Sequence, residues 1–286
     1  MNRTILSQIK RAIRLNLEQL AGQIIESHGA YLSKRDYIFL IRYMHEHSKY
    51  PYKVIEYVYY RSAYRWEFDL NNVYHNAIYE AIGRHDPNNL RELLKVKTID
   101  PSADRYGNHP ISWAATNENA KINTEIVRML LDDDRIDPSI NNDIAIRFAS
   151  LRGRAGAVRM LLKDGRVDPS STDNNAIRAA SGYGHIEVVH ALLEDGRANP
   201  SALNNEAIRD ASENGYVKVV QLLLEDDRVD PSDHENLAIV WACAEGHIEV
   251  VRMLLADSRV VQAGLARAIA RMKNNTEIYD LLMKAK

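Results

Sequence analysis

The sequence predicts an all-α chain: a helical-repeat solenoid of about seven units preceded by a small helical N-terminal region. Three observations carry that expectation. The tripeptide Asp-Pro-Ser recurs at Asp100, Asp137, Asp168 and Asp230, with Asn-Pro-Ser at Asn199, at spacings of 37, 31, 31 and 31 residues. The segments between these marks stack in register: DIAIRFASLRGRAGAVRMLLKDGRVDPS (143–170), NNAIRAASGYGHIEVVHALLEDGRANPS (174–201) and NEAIRDASENGYVKVVQLLLEDDRVDPS (205–232). Each segment also holds two short apolar stretches, the first closed by glycine in all three and the second by glycine in 143–170 and 174–201. Self-similarity at a fixed period of this length marks a stacked repeat architecture.

In chain order, the first region is residues 1–70. Eleven of the fifteen tyrosines fall between Tyr31 and Tyr79, and residues 1–70 carry eleven Lys/Arg against seven Asp/Glu, whereas 71–286 is net −6. Helices are expected near 4–27, 34–48 and 52–67, with Ser33 and Asp36 resembling a capping box and Pro51 separating the last two. Residues 1–17 hold Lys10 and three arginines but no acid. A transit peptide shares that composition, but Ile5, Ile9 and Ile13 at helical spacing fit a surface amphipathic helix. Three roles stay open for this region. It can cap the array, as a solenoid requires, it can dock a second protein, or its basic, Tyr-rich surface can stack on single-stranded nucleic acid. Tyr57, Tyr60 and Tyr64 sit at helical spacing, which favours core packing.

The array follows over 71–286. Its first unit, 72–102, is recognisable from HNAIYEAIGRHDPNNLRELLKVKTIDPS, and its second, 103–139, carries six extra residues. Residues 174–201 show how a unit folds. Ala176, Ile177 and Ala180 share one face of a first helix, and Gly184 stops that helix because glycine adopts positive φ freely. Ile186, Val189, Leu192 and Leu193 form the apolar stripe of a second helix. Gly196 ends it and Pro200 prevents its continuation. Such a pair cannot bury its stripe alone, so units must stack, each buried Leu, Ile or Val contributing roughly 1.5–3 kcal/mol. The last unit, from about Val261, loses its connecting turn and ends with Ile278, Leu281 and Leu282, as a capping repeat would.

This unit resembles the ankyrin repeat. The stretch from Asp104 through Gly107, Pro110 and Trp113 to Ala115 is similar to that family's D-x-x-G-x-T-P-L-H-x-A-A opening. The second-helix pattern G-H-x-x-V-V-x-x-L-L stands intact at Gly184–Leu193 and Gly246–Leu255. The resemblance covers roughly residues 72–286, and Asp-Pro-Ser arrays of this style are similar to divergent ankyrin arrays of large DNA viruses and protists. Departures are a period of 31, fingers without the glycine that Gly107 supplies, and x-Ala-Ile-Arg in place of Thr-Pro-Leu-His. Simple turns are therefore expected instead of β-hairpins. The resemblance implies structural roles for His185 and His247, and protein binding as the function.

Composition narrows the alternatives. A net charge of −2 gives no global field for nucleic acid or an anionic membrane, and no apolar run nears the roughly 18 residues that span a bilayer. Cys243 is the only cysteine, so neither a disulfide framework nor a Cys-based zinc site is expected. A reducing compartment fits, hence the cytoplasm, or the host cytoplasm for a viral chain. No phosphate loop, His–Glu–x–x–His pattern or nucleophile–base set is found. His45 and His47 stand two apart on a helix, which points them in different directions. The chain is read as a non-enzyme without cofactor, metal or small-molecule substrate, a monomer whose partner is another protein. An unrecognised enzyme and a nucleic-acid binder acting through the N-terminal region are the rival readings.

Two arginine ladders recur. Arg135, Arg166, Arg197, Arg228 and Arg259 follow the second helix, and stacked Arg–Asp contacts between repeats are expected there. Arg147, Arg178 and Arg209 occupy the position where the ankyrin family uses histidine to tie adjacent fingers; a basic stripe for an acidic partner is the alternative. One place later the residue changes from unit to unit: Glu80, Trp113, Phe148, Ala179, Asp210 and Trp241. The resemblance places this row along the concave groove, where variation on a constant frame can encode partner choice. Finger tips would extend that surface, among them Arg105, Tyr106, Asn141, Asn142, Thr172, Asp173, Leu203, Asn204, His234 and Glu235.

Overall fold

The computed structural model describes residues 2–14, 70–96, 100–102, 109–117, 120–260 and 275–284, together with positions 21, 23–25, 36, 40 and 43. All regular structure among them is helical. The helix expected over 52–67, Ser33, Pro51, His45 and His47 lie outside the described residues. The chain divides into two compact units, Met1–Pro110 and Ile111–Lys286. No helix among the described residues is long and apolar enough to cross a membrane.

In the first unit, α1 (Asn2–Arg14) places Ile5, Ile9 and Ile13 on one stripe, and all three are buried, as are Ala21, Ile25, Leu40 and Tyr43. The Lys10 ammonium stands 5.2 Å from the Tyr43 ring centre, a cation–π distance. The amphipathic helix expected here therefore packs its apolar face inward. α2 (Leu70–Gly83) and α3 (Pro87–Leu94) follow and pack on each other. Pro87 suits the first turn of α3, where no intrahelical donor is lost. The Asp86 carboxylate caps that turn by accepting the Asn89 N–H at 3.0 Å.

The second unit holds α4 (Pro110–Thr116) from Ile111 onward, α5 (Ala120–Leu131), α6 (Ile140–Leu151), α7 (Ala155–Asp164), α8 (Ser171–Gly182) and α9 (Ile186–Asp195). α10 (Ala202–Glu213), α11 (Val217–Leu224), α12 (Asp233–Glu245), α13 (Ile248–Ala256) and α14 (Thr276–Lys284) complete it. First helices α6, α8, α10 and α12 pack side by side as one layer. Second helices α5, α7, α9, α11 and α13 form the other, and α14 packs on α13. Ile278 and Leu282 of α14 are buried, consistent with a closing element.

Ala176, Ile177 and Ala180 are fully buried, as their spacing predicts. In α9 the stripe is rotated from the expected one. Val188, Val189, Ala191 and Leu192 are buried, whereas Ile186, which opens the helix at the layer's edge, is exposed and Leu193 is half-buried. The glycine before each second helix has two reasons to be glycine. Gly184 has φ 74°, and a Cβ there would come within 2.7 Å of the Tyr216 ring of the next repeat. Gly153 meets the His185 ring, and Gly215 the His247 ring, in the same way. His185 Nε2 also lies 3.0 Å from the Leu151 carbonyl and His247 Nε2 2.8 Å from that of Glu213, bonds the imidazole N–H can donate across the repeat boundary. Both histidines are thus structural links.

The connecting fingers are neither hairpins nor ordinary turns. Three successive residues adopt the left-handed helical conformation in each: Asn141–Asp143, Thr172–Asn174, Leu203–Asn205 and His234–Asn236, with φ between 52° and 63°. L-residues pay a steric penalty there that Asn and Asp bear best. The third residue is always Asp or Asn, and its side chain reaches forward. Asp143, Asn174 and Asn205 accept the backbone N–H of Asp168, Asn199 and Asp230 at 2.8, 2.6 and 2.8 Å.

Candidate functional site

Along the turn edge, every constant residue has a bond to make. In each Asp-Pro-Ser the first side chain accepts both the backbone N–H and the hydroxyl of the serine two places on: 2.9 and 2.6 Å at Asp168, 3.1 and 2.8 Å at Asn199. Only an Asx oxygen is required, which is why Asn199 substitutes without loss. The first arginine ladder is anchored differently from the expectation. Arg197 pairs with Asp195 two residues before it, Nε to Oδ1 at 2.7 Å and Nη2 to Oδ2 at 2.8 Å. Its remaining donors cross to the preceding repeat, reaching the carbonyls of Val167 (2.9 Å) and Leu162 (3.0 Å). Arg166 and Arg259 repeat this arrangement, while Arg228 reaches the carbonyls of Ala198 and Gly196.

The inter-repeat link is therefore guanidinium to helix-end carbonyl, with the carboxylate orienting the guanidinium from within its own repeat. Direct Arg–Asp stacking between repeats is replaced because carbonyls left over at the end of a helix need donors. Acids of the preceding repeat act on Arg166 and Arg197 only at longer range. Hydrogen bonds from the arginines hold the carboxyls of Asp164, Asp195, Asp226 and Asp257 below the usual carboxylate range.

The second ladder faces the fingers. Arg147 Nε donates to the Asn142 carbonyl at 2.8 Å, and Arg178 Nε to that of Asp173 at 2.9 Å, so each braces the left-handed turn of its own repeat. Arg178 also bridges to Glu206 of the following repeat at 2.5 Å. Arg209 is half-buried beside Asp210.

One place on, the row reads differently. Trp113 is 44% and Phe148 39% exposed, unusual for large apolar side chains on a packed helix. Ala179 and Trp241 are half-buried and Glu80, in the first unit, is exposed. The Asp210 side chain lies against Gly182, where a Cβ would stand 3.4 Å from it. Burial, and then the neighbouring charge of Glu206, push its carboxyl up to about 6. Arg105 and Tyr106 lie outside the described residues. The exposed finger tips include Leu203, 46% exposed in a left-handed turn. Tyr183, 61% exposed beside the His185 ring, is a surface aromatic whose single occurrence at its repeat position left no signal in the sequence pattern.

Among the described residues, no group of three or more His, Cys, Asp or Glu side chains could hold a metal ion. Cys243 is fully buried on α12, and burial raises its thiol to about 12, the behaviour of a small apolar core residue.

Residues 177–264 match the family model described as ankyrin repeats (3 copies). Among solved structures the chain is similar to EF0377, an ankyrin repeat protein, at 27% identity and a TM-score of 0.54 over 63% of this chain and 96% of that one. It is also similar in fold to the ankyrin repeat domain of Bcl-3, a member of the IkappaB protein family, at 20% identity and a TM-score of 0.57 over 72% and 97% of the two chains. No curated protein matches by sequence. The helix-pair frame, the Gly-His links and these matches agree: residues 177–264 carry ankyrin repeats, and the array has the fold of ankyrin repeat proteins.

Proposed function

We propose that this chain is a protein-interaction scaffold that grips a partner protein in the concave groove along its first helices and on its fingers. Ankyrin repeats are a kind of protein-interaction module, and the observation that carries the reading for this chain is local. Trp113 and Phe148 hold matching positions in successive units and are exposed, beside finger-bracing arginines such as Arg147 and Arg178 that are bonded. Exposed aromatics with charged groups around them have the anatomy of an interface hot spot. In this reading the chain is a cytoplasmic monomer with no cofactor and no catalytic role. Residues 1–70 form a region distinct from the array at 71–286 and cap it or dock elsewhere.

The test is affinity capture on the full chain with partners identified by mass spectrometry, followed by titration of each recovered partner against Trp113→Ala and Phe148→Ala. A loss of about 2 kcal/mol or more for either change, with the fold intact, supports the face. Unaltered affinity in both variants sinks it.

A further inference from the structure

The interaction face is not uniform along its length, and its charge pattern specifies what it can receive. α6, α8 and α10 lie side by side and present Phe148, Ala179 and Asp210 in one row. At the Phe148 end Arg147 is held to the finger, donating to the carbonyls of Asn142 and Asn141, and keeps its positive charge. In the middle, Arg178 is engaged twice, by the Asp173 carbonyl and by Glu206. The third place differs. The carboxylate of Asp210 is half-buried against Gly182 and accepts no hydrogen bond among the described residues. The charged groups acting on it are Glu206, Arg209 and Glu213 of its own helix and Arg178 of the preceding one. Two of these four are acids, and Arg178 is already committed to Glu206, so Arg209 alone faces both Glu213 and Asp210 and one negative charge stays uncompensated.

We propose that this row receives an extended segment of the partner protein, with a large apolar side chain covering Phe148 and a lysine or arginine reaching Asp210. The inference rests on the interaction-face reading above and adds the chemistry of the occupant. Helices packed side by side lie about 8–10 Å apart, so Phe148 and Asp210, two repeats apart, are separated by roughly 16–20 Å. Extended chain advances about 3.3 Å per residue, which places the cation some five or six residues from the apolar anchor. An incoming ammonium or guanidinium favours the ionised carboxylate, and burial has left that carboxylate short of partners. An acidic segment would add like charge at a site already holding Glu206 and Glu213.

A phage-displayed library of random twelve-residue peptides, selected on the full chain, tests this directly. Enriched peptides should carry a large apolar residue with Lys or Arg four to seven places away. A synthetic copy of the most enriched peptide should bind Asp210→Lys at least tenfold more weakly and Asp210→Asn several-fold more weakly, with the Asp210→Asn unfolding midpoint no lower than that of the parent. Its affinity for the parent should fall as pH drops below about 6, where Asp210 gains its proton. Enriched peptides that lack basic residues, or that bind Asp210→Lys as well as the parent, overturn the proposal. If binding then still collapses in Phe148→Ala, the interaction face stands and only its charge assignment fails. Peptides indifferent to both changes, or no enrichment at all, overturn the face as well.

Discussion

The turn edge of the array and the exposed face of its first helices come from the same repeats but are built to opposite rules. At the edge the sequence repeats, and almost every repeated polar group is bonded to its own turn or to the next unit. Asp168 ties Ser170, Asp143 ties Asp168, and Arg197 joins Asp195 to the carbonyls of Val167 and Leu162. On the face the sequence changes from Trp113 to Phe148, Ala179 and Asp210, and these side chains are exposed or half-buried. Constancy here reports a structural bond, and variation reports a surface left open for something else. The contrast can be broken by substitution.

The largest effect is expected at the repeat junction. Gly184→Val forces a β-branched residue to φ 74° and drives its Cβ into the Tyr216 ring. Left-handed strain and overpacking together should destabilise the array by about 2–4 kcal/mol, measured by urea denaturation followed by circular dichroism. A change under about 1 kcal/mol would mean that Tyr216 moves aside and the junction is looser than described.

Next comes the arginine staple. Arg197→Ala removes a two-pronged ion pair and both carbonyl bonds to the preceding repeat, and should cost about 2 kcal/mol. Arg197→Lys keeps the charge but not the fork, and should recover less than half of that loss. Full recovery by lysine would show that charge alone suffices and that the carbonyl contacts add nothing.

Asp210 gives a smaller, pH-dependent effect. Its folded carboxyl titrates near 6, above the unfolded value of about 3.9. The folded state therefore holds the proton more tightly. Its contribution to stability is full below about pH 4 and is lost as pH rises through about 6. For a half-exposed, solvent-screened group the loss is on the order of 1 kcal/mol. Asp210→Asn should be more stable than the parent by that amount at pH 7, with the gap closing towards pH 4. A gap that persists at pH 4 would assign the effect to packing.

The smallest effect is in the fingers. Leu203 occupies a left-handed position that asparagine tolerates better. Leu203→Asn should raise stability by about 0.5–1 kcal/mol, visible as a small rise in melting temperature. A fall would show that Leu203 packs in a way its exposure conceals.

How much of this was legible in the sequence follows the same division. The helix pairs, the glycine stops and the Gly-His links could be read because each leaves a residue type at a fixed offset. The Asp-Pro-Ser mark located every turn but not its geometry. Its left-handed course was signalled by the recurring Asp143, Asn174, Asn205 and Asn236, a pattern masked by the changing residues before them. The arginine ladder was read with the wrong carboxylates because acids stand on both sides of it, at Asp195 as well as Asn199 or its equivalents. Only the fold decides which one faces the guanidinium. Asp210 looked like one variable residue among several, since its burial depends on Gly182 a repeat away. Arg105 and Tyr106 of the second finger remain sequence expectations.

The most direct test of the division between frame and face needs no partner. It is the equilibrium urea unfolding of the Trp113→Ala, Phe148→Ala double variant beside the parent chain. Side chains that stand 44% and 39% exposed on an open face should cost about 1–2 kcal/mol each when truncated. The array transition should then keep its slope and lose about 2–4 kcal/mol in total. A loss of about 3–5 kcal/mol for each aromatic, the range for buried rings, would place both in the core and leave the array without the binding face described for it.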